Sequence, residues 1–358
     1  MTTNILAKEN VIVREKADAR EKAAAIGSSI AKPAPAKRGS NRYKFVILLI
    51  LVALAMVLYM TVNVRFDHPR LLRYAMHLRA TKIVVMLLVA FCIGGASMVF
   101  QSVIQNTIVT PCLLGMNSLY SLIHTAVFFF FGAGSLVARN SNVAFAVDLV
   151  LMGIVATFIY SYLFKKTNYN VLYVILIGTV LTSFFSSIQT TLVRAMDPNE
   201  YDTLLTSLVA SFSNINANII VFAMLMMAAV ILALRKDLAM LDVITLGRRQ
   251  AINLGVDYDR TIRRLLLGVV LFIAIATALV GPISFLGLII ANLARQLLKT
   301  YRHSELIFAS SLFAMVLLIG GQLVVEQVFV YAIPISVFIT VGGGLYFLYL
   351  LLTQKGSA

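Results

Sequence analysis

Apolar residues run almost unbroken through most of this chain, near positions 45–62, 83–104, 112–131, 143–164, 171–192, 218–234, 265–280, 283–298, 305–325 and 335–352. The runs are continuous rather than alternating, which predicts helices and excludes the strands of a membrane barrel. Most approach the ~20 residues that a helix needs to cross hydrocarbon, so about ten spans are expected, some tilted or broken. Residues 202–212 make a further apolar piece, too short to cross and expected as a re-entrant or surface helix. The fold class is therefore an all-α polytopic membrane protein. Composition agrees, since 60% of the 358 residues are hydrophobic and 13% charged, against about 25% charged in soluble domains.

Charge sets the orientation. The net charge of +15 would suggest nucleic acid in a soluble protein, but here it follows the positive-inside rule and implies no nucleic-acid partner. With the N-terminus inside and ten spans, 23 Lys and Arg fall inside and 7 outside, which puts both termini in the cytoplasm. Residues 1–44 read as a basic, mostly disordered cytoplasmic tail. The membrane domain covers 45–353, with a cytoplasmic loop at 235–264, and 354–358 form a second tail. One cluster opposes the bias: Arg65, Arg70, Arg73, Arg79 and Lys82 fall on the expected outer face, which makes them functional candidates.

Catalytic chemistry finds little support. No GxxxxGK[ST] loop is present, so nucleotide is not hydrolysed by that route. His68, His77, His124 and His303 lack the close spacing of metal ligands, and no Ser/His/Asp arrangement follows from spacing. Cys92 and Cys112 read as small packing residues. Asp148 and Glu326 are the acids nearest a span interior, as a proton-coupled carrier would require, but both fall near a boundary where water can reach them. Small residues at Gly94-Gly95-Ala96-Ser97 and Gly320-Gly321 suit close helix packing. The Gly342-Gly343-Gly344 run is expected to permit a bend or a backbone-lined passage.

The stretch from Leu246 to Arg295 carries the most information. A charged segment, LGRRQAINLGVDYDRTIRR, leads into an apolar run and then GPISFLGLIIANLAR. Helical spacing of Leu246, Ile252 and Val256 predicts a short helix closed by a left-handed cap at Gly255. Such a loop in a membrane protein is expected to touch a partner outside the membrane.

Leu246-Gly247, Ala251 and Leu254-Gly255-Val256 resemble the LGxxxAxxLGV loop of FecCD-type permeases, the membrane subunits of importers for iron-siderophores, haem and vitamin B12. Gly281-Pro282-Ile283, Phe285, Gly287-Leu288-Ile289 and Leu293-Ala294-Arg295 are similar to that family's GPIxFxGLIxPHxAR block. Arg79, Lys82, Gln101, Asn106, Pro111 and Leu114-Gly115 follow its upstream pattern in order and spacing, and the resemblance spans about 65–353. It implies a type II importer permease architecture like that of the vitamin B12 permease, without enzymatic activity or a cofactor or metal of its own. ATP and Mg would belong to a pair of cytoplasmic ATPases. Leu246, Gly247, Arg248, Arg249, Ala251, Leu254, Gly255 and Val256 would form the coupling helix seated on the ATPase. Arg79 and Lys82 would dock an extracytoplasmic siderophore-binding protein. The pattern departs from the family where Pro-His is Ala291-Asn292, where Asn-Pro is Asn106-Thr107, and where a basic residue is Glu326. The look is closest to the branch for catecholate or mixed-type siderophores such as petrobactin or anguibactin, which implies a ferric siderophore as cargo and a different chain as second permease. The alternatives are an ion-coupled secondary transporter, a haem or vitamin B12 importer permease, or a non-transporting scaffold.

Overall fold

The computed structural model describes residues 38–64, 69–132, 134–135, 140–167, 171–212, 217–330 and 332–354. Most of the expected N-terminal tail, Arg65, His68 and the residues after 354 lie outside them. The described residues form thirteen α-helices: α1 (Arg38–Thr61), α2 (Pro69–Ile104), α3 (Met116–Phe131), α4 (Ser141–Lys166), α5 (Val171–Arg194), α6 (Pro198–Leu208), α7 (Ala217–Ala239), α8 (Leu241–Ile244), α9 (Arg248–Asn253), α10 (Tyr258–Val280), α11 (Leu286–Leu297), α12 (His303–Gln327) and α13 (Ile335–Gln354). Seven are long and apolar enough to cross a membrane, and α3, α11 and α13 are shorter apolar helices. Together they correspond to the ten apolar runs of the sequence.

The boundaries differ where hydropathy and helix formation part company. The second span was expected from residue 83, but α2 begins at Pro69, where proline is tolerated because the first N–H groups have no helical partner anyway. Arg70, Arg73, Arg79 and Lys82 are thus the first turns of a 36-residue helix rather than a connecting loop. The eighth run breaks in the other direction. Residues 281–285 are non-helical and α11 holds only 12 residues, about 18 Å of rise, so this helix is too short to cross alone. The third run likewise starts as a 3-10 turn, Pro111–Leu114, before α3. The short helix expected near 202–212 is α6, entered through Pro198 with Asp197 accepting from the Asn199 N–H.

Helices α2 and α10 form the buried centre, and α12 lies along α2. Gly94 faces the backbone of Ser310 and Ser311 on α12, and Ser310 Oγ donates to the Gly94 carbonyl at 2.9 Å. The close approach expected of the small-residue run is therefore real. Helix α13 runs through Gly342–Gly344 without a break, and Gly343 makes room for Phe285. Helices α1 and α5 are peripheral and expose apolar side chains, as surfaces facing lipid do.

Candidate functional site

The loop between α7 and α10 is built from a buried anchor and an exposed helix. Leu241 and Ile244 of α8 are buried in the core. Asp242 Oδ1 accepts from both the backbone N–H (2.8 Å) and ring Nδ1 (2.6 Å) of His303, which ties the loop to the start of α12. Gln105 Nε2 at the end of α2 donates to the Thr245 carbonyl at 3.0 Å. Arg248 donates twice to Asp259 of α10, at 3.0 and 3.4 Å. That hydrogen bond and the carboxylate's charge push its guanidinium further above its ordinary value. The loop is thus fastened to three long helices.

The end of α9 follows from one glycine. Gly255 has φ +82°, a conformation that costs an L-residue with a side chain about 1–2 kcal/mol. There the Gly255 N–H reaches the Ile252 carbonyl (2.9 Å) and the Val256 N–H reaches Ala251 (3.0 Å). This is the double bond pattern of a Schellman cap. The turn directs Ala251 and Val256 inward and leaves Leu246, Ile252 and Leu254 about half or more exposed, beside exposed Arg249 and Gln250. Three exposed aliphatic side chains on a polar loop form a surface suited to another protein. Gly247 precedes the helix at φ +99°.

The remaining motif residues gather behind this loop and within the bundle. Gln101 Nε2 donates to the Thr107 carbonyl at 2.8 Å, and Asn292 Nδ2 donates to the same carbonyl at 3.0 Å and to Leu288 at 2.9 Å. The two departures at 106–107 and 291–292 are therefore neighbours, joined by the Asn292 amide. Arg295 Nη2 donates to Ser102 Oγ at 2.9 Å, and Asn106 Oδ1 accepts from the Ile108 N–H at 2.9 Å. Deeper in, the 111–117 turn meets the 281–285 break, where Asn117 Nδ2 donates to Ser284 Oγ at 3.2 Å. Pro111 opens that turn and Gly115 closes it. Gly287 faces Ser97 and Ile93 of α2. Gly281, at φ +89° and followed by Pro282, ends α10 against the backbone of Ala210.

At the opposite end of the bundle the basic cluster divides. Lys82 Nζ lies 2.9 Å from Glu326 Oε1, which also accepts from Tyr59 OH (2.8 Å) and Gln322 (2.9 Å). Arg79 Nη1 donates to the carbonyls of Tyr59 (2.6 Å) and Val62 (2.8 Å). Both cations thus hold α1 and α12 to α2, whereas Arg70 and Arg73 are exposed. Glu326 is a buried acid whose Oε1 is satisfied by Lys82, Tyr59 and Gln322.

Two features had escaped sequence reasoning. One face of α5 exposes Thr179, Ser183, Ser187, Thr190, Thr191 and Arg194 in a single stripe. Several of these hydroxyls bond back to carbonyls three or four residues earlier. That pattern satisfies them in lipid yet leaves lone pairs for water or a polar solute. A 3.6-residue polar period would have found this stripe. The second is a buried chain: His124 Nδ1 lies 2.9 Å from Asp148 Oδ2 and Nε2 lies 3.1 Å from Ser207 Oγ. Residues 24 and 83 positions apart left no signal in spacing. Among the described residues no cluster of three His, Cys, Asp or Glu could hold a metal.

Comparison with known proteins places this architecture. The chain is 39% identical over 284 residues to the petrobactin import system permease protein YclO of Bacillus subtilis, covering 79% of this chain and 90% of that protein. It is 29% identical over 327 residues to the petrobactin import system permease protein FatC of Bacillus anthracis, covering 89% and 91%. Its fold is similar to a solved structure described as an inward-facing conformation of a putative metal-chelate type ABC transporter. That match has a TM-score of 0.74 at 21% identity and covers 87% of this chain and 99% of that one. The pattern of the FecCD transport family matches residues 41–353. A match over that extent, on a bundle of this form, shows that the chain belongs to the FecCD transport family.

Proposed function

We propose that this chain is one permease of an ATP-driven importer that carries a ferric siderophore across the bacterial cytoplasmic membrane. The observation that carries the reading is α9, which offers Leu246, Ile252, Leu254 and Arg249 outward while its base is tied to α2, α10 and α12. A helix held this way transmits displacement rather than absorbing it, so a partner ATPase that grips it can move the bundle. The ATPase pair supplies ATP and Mg, and both termini lie on its side of the membrane, in keeping with the 23-to-7 bias of basic residues.

The hydroxyl stripe of α5 is the proposed wall of the passage, facing a second permease of different sequence. A polar face on a membrane helix costs least where it meets water or another polar surface, and an iron chelate rich in oxygen ligands suits such a wall. The relatives named for petrobactin import favour a siderophore of that chemistry over haem or vitamin B12. An extracytoplasmic binding protein docks at the opposite end. Arg79 and Lys82 remain the proposed docking cations, with Lys82 exchanging Glu326 for an acid of the partner, and charge complementarity orients the encounter.

Uptake of ferric petrobactin labelled with radioactive iron, in a strain deleted for this chain, tests the reading. Complementation should restore uptake that stops on ATP depletion and survives collapse of the proton gradient. Uptake that follows the proton gradient instead would establish a secondary carrier.

A further inference from the structure

Among the described residues, side-chain bonds tie the loop that carries α9 at three places, and the ties are unequal. Arg248 and Asp259 are both well exposed, and an ion pair in water holds weakly. Gln105 to the Thr245 carbonyl is a single neutral bond at an exposed position. The third tie joins Asp242 of α8 to His303, the first residue of α12. Its His303 end is only 7% exposed, and Asp242 Oδ1 accepts the His303 backbone N–H at 2.8 Å, with ring Nδ1 2.6 Å from the same oxygen. A hydrogen bond to a carboxylate is roughly twice as strong as a neutral one.

Where this bond falls matters as much as its strength. An α-helix begins with four N–H groups that have no partner inside it, and the side chain of the residue before the helix commonly takes one of them. Helix α12 lacks that provision, because its N-cap is Arg302, whose side chain makes no capping bond. The Arg302 N–H is met by Thr300 Oγ1 at 3.2 Å, and the His303 N–H by Asp242, 61 residues earlier. The loop therefore caps α12, and the Asp242 carboxylate lies at the positive end of the helix. Pulling the loop away uncovers the start of α12, so the two are linked energetically.

The rest of α12 extends the link across the bundle. The helix runs unbroken from His303 to Gln327, about 37 Å of rise. Midway, Ser310 Oγ donates to the Gly94 carbonyl of α2, and a Cβ on Gly94 would meet Ser311 Cα at 2.8 Å. Neither helix slides along the other without losing that fit. At the far end Glu326 accepts from Lys82 of α2 and Tyr59 of α1. A displacement delivered at His303 is thus carried to the opposite end by α12 and α2 together.

We propose, on the basis of the function proposed above, that Asp242 is a positioning residue of transport. By capping α12 from the loop, it is the bond through which movement of α9 reaches α12 and the Lys82–Glu326 end of the bundle. This role is separable from that of a structural cap, because α12 can be capped locally instead. Glu305 already stands three residues after Arg302, so Arg302→Ser completes a Ser-x-x-Glu capping box within the helix. The Arg302 side chain itself makes only a partly exposed pair with Glu305 at 4.0 Å.

Uptake of radiolabelled ferric petrobactin in the deletion strain, and ATP hydrolysis by the complex that copurifies with each variant, test this together. Asp242→Ala should lower uptake about tenfold while hydrolysis falls less than about twofold, the scale of a lost coupling contact. Asp242→Asn still offers an oxygen to the His303 N–H and should keep more than about half of the uptake. Arg302→Ser alone should transport like the wild type. In the double variant Asp242→Ala/Arg302→Ser, amides 303–306 should regain wild-type protection from exchange, yet uptake should stay about tenfold down. Wild-type uptake in the double variant would reduce Asp242 to a structural cap and overturn the proposal. Full uptake by Asp242→Ala, or an equal fall of uptake and hydrolysis, would overturn it too. If Asp242→Ala fails to fold, the double variant, capped within α12, decides. Wild-type uptake that is absent or independent of ATP would instead overturn the proposed function, and the role of Asp242 with it.

Discussion

Helices α9 and α6 are both short insertions between long spans, yet they are held by opposite means. Helix α9 lies in the polar loop, turns its aliphatic residues outward and is fixed at its base by exposed or half-exposed bonds. Helix α6 lies within the bundle, buries Leu204 beside Phe128 and Met196, and is fixed by a buried polar chain. The difference is one of solvent. Water screens the bonds of α9, and the chain itself leaves its apolar side chains uncovered. The bonds of α6 are unscreened, so each counts for more and each missing partner costs more.

The sharpest test of this contrast replaces Ile252 and Leu254 by Asp together. Uptake should fall by about a hundredfold or more on the proposed function, in which an ATPase buries these two side chains and a charge there is strongly destabilising. The melting temperature of the isolated chain should stay unchanged, since both residues are exposed. If folding fails instead, α9 is a structural element and the contrast collapses. On the other side, Ser207→Ala leaves one buried nitrogen of the His124 ring without its hydrogen-bond partner and should cost about 1–3 kcal/mol locally. Faster amide exchange confined to 198–212 is the expected readout, with no effect at α9.

Gly255→Ala separates shape from contact. The left-handed cap then carries a Cβ, which should cost about 1–2 kcal/mol in the loop and weaken uptake moderately although no outward-facing side chain is changed. Protease sensitivity near 246–258 reports it. The smallest effect is expected from Arg248→Ala, because its pair with Asp259 is solvent-exposed and such pairs contribute little. No measurable change in melting temperature should follow. Arg249→Glu should reduce uptake more, since Arg249 faces outward while Arg248 faces α10.

Much of α9 was legible in the chain. The charged interruption, the spacing of Leu246 and Ile252, and the glycine at 255 are all local, and a Schellman cap is closed by neighbours within six residues. The motif residues were legible as a set, although not the contact of Asn292 with Thr107, which spans 185 positions. The basic cluster was expected as a surface, and the structure engages two of its members, Arg79 and Lys82, inside the bundle. Lys82 meets Glu326 across 244 positions, and no pattern in either neighbourhood announces the pair. Helix starts such as Pro69 were missed because hydropathy detects the lipid-facing length and is blind to a polar first turn.

The sequence by itself determined the class, the ten apolar segments, the loop and its cap, because hydrocarbon thickness and backbone geometry act on consecutive residues. Only the tertiary structure decided which cations are engaged, where α2 truly begins, which face of α5 is polar and exposed, and that His124, Asp148 and Ser207 meet. Those outcomes depend on how long helices lie against one another, and a side chain buried in low dielectric takes whichever partner that packing brings within about 3 Å.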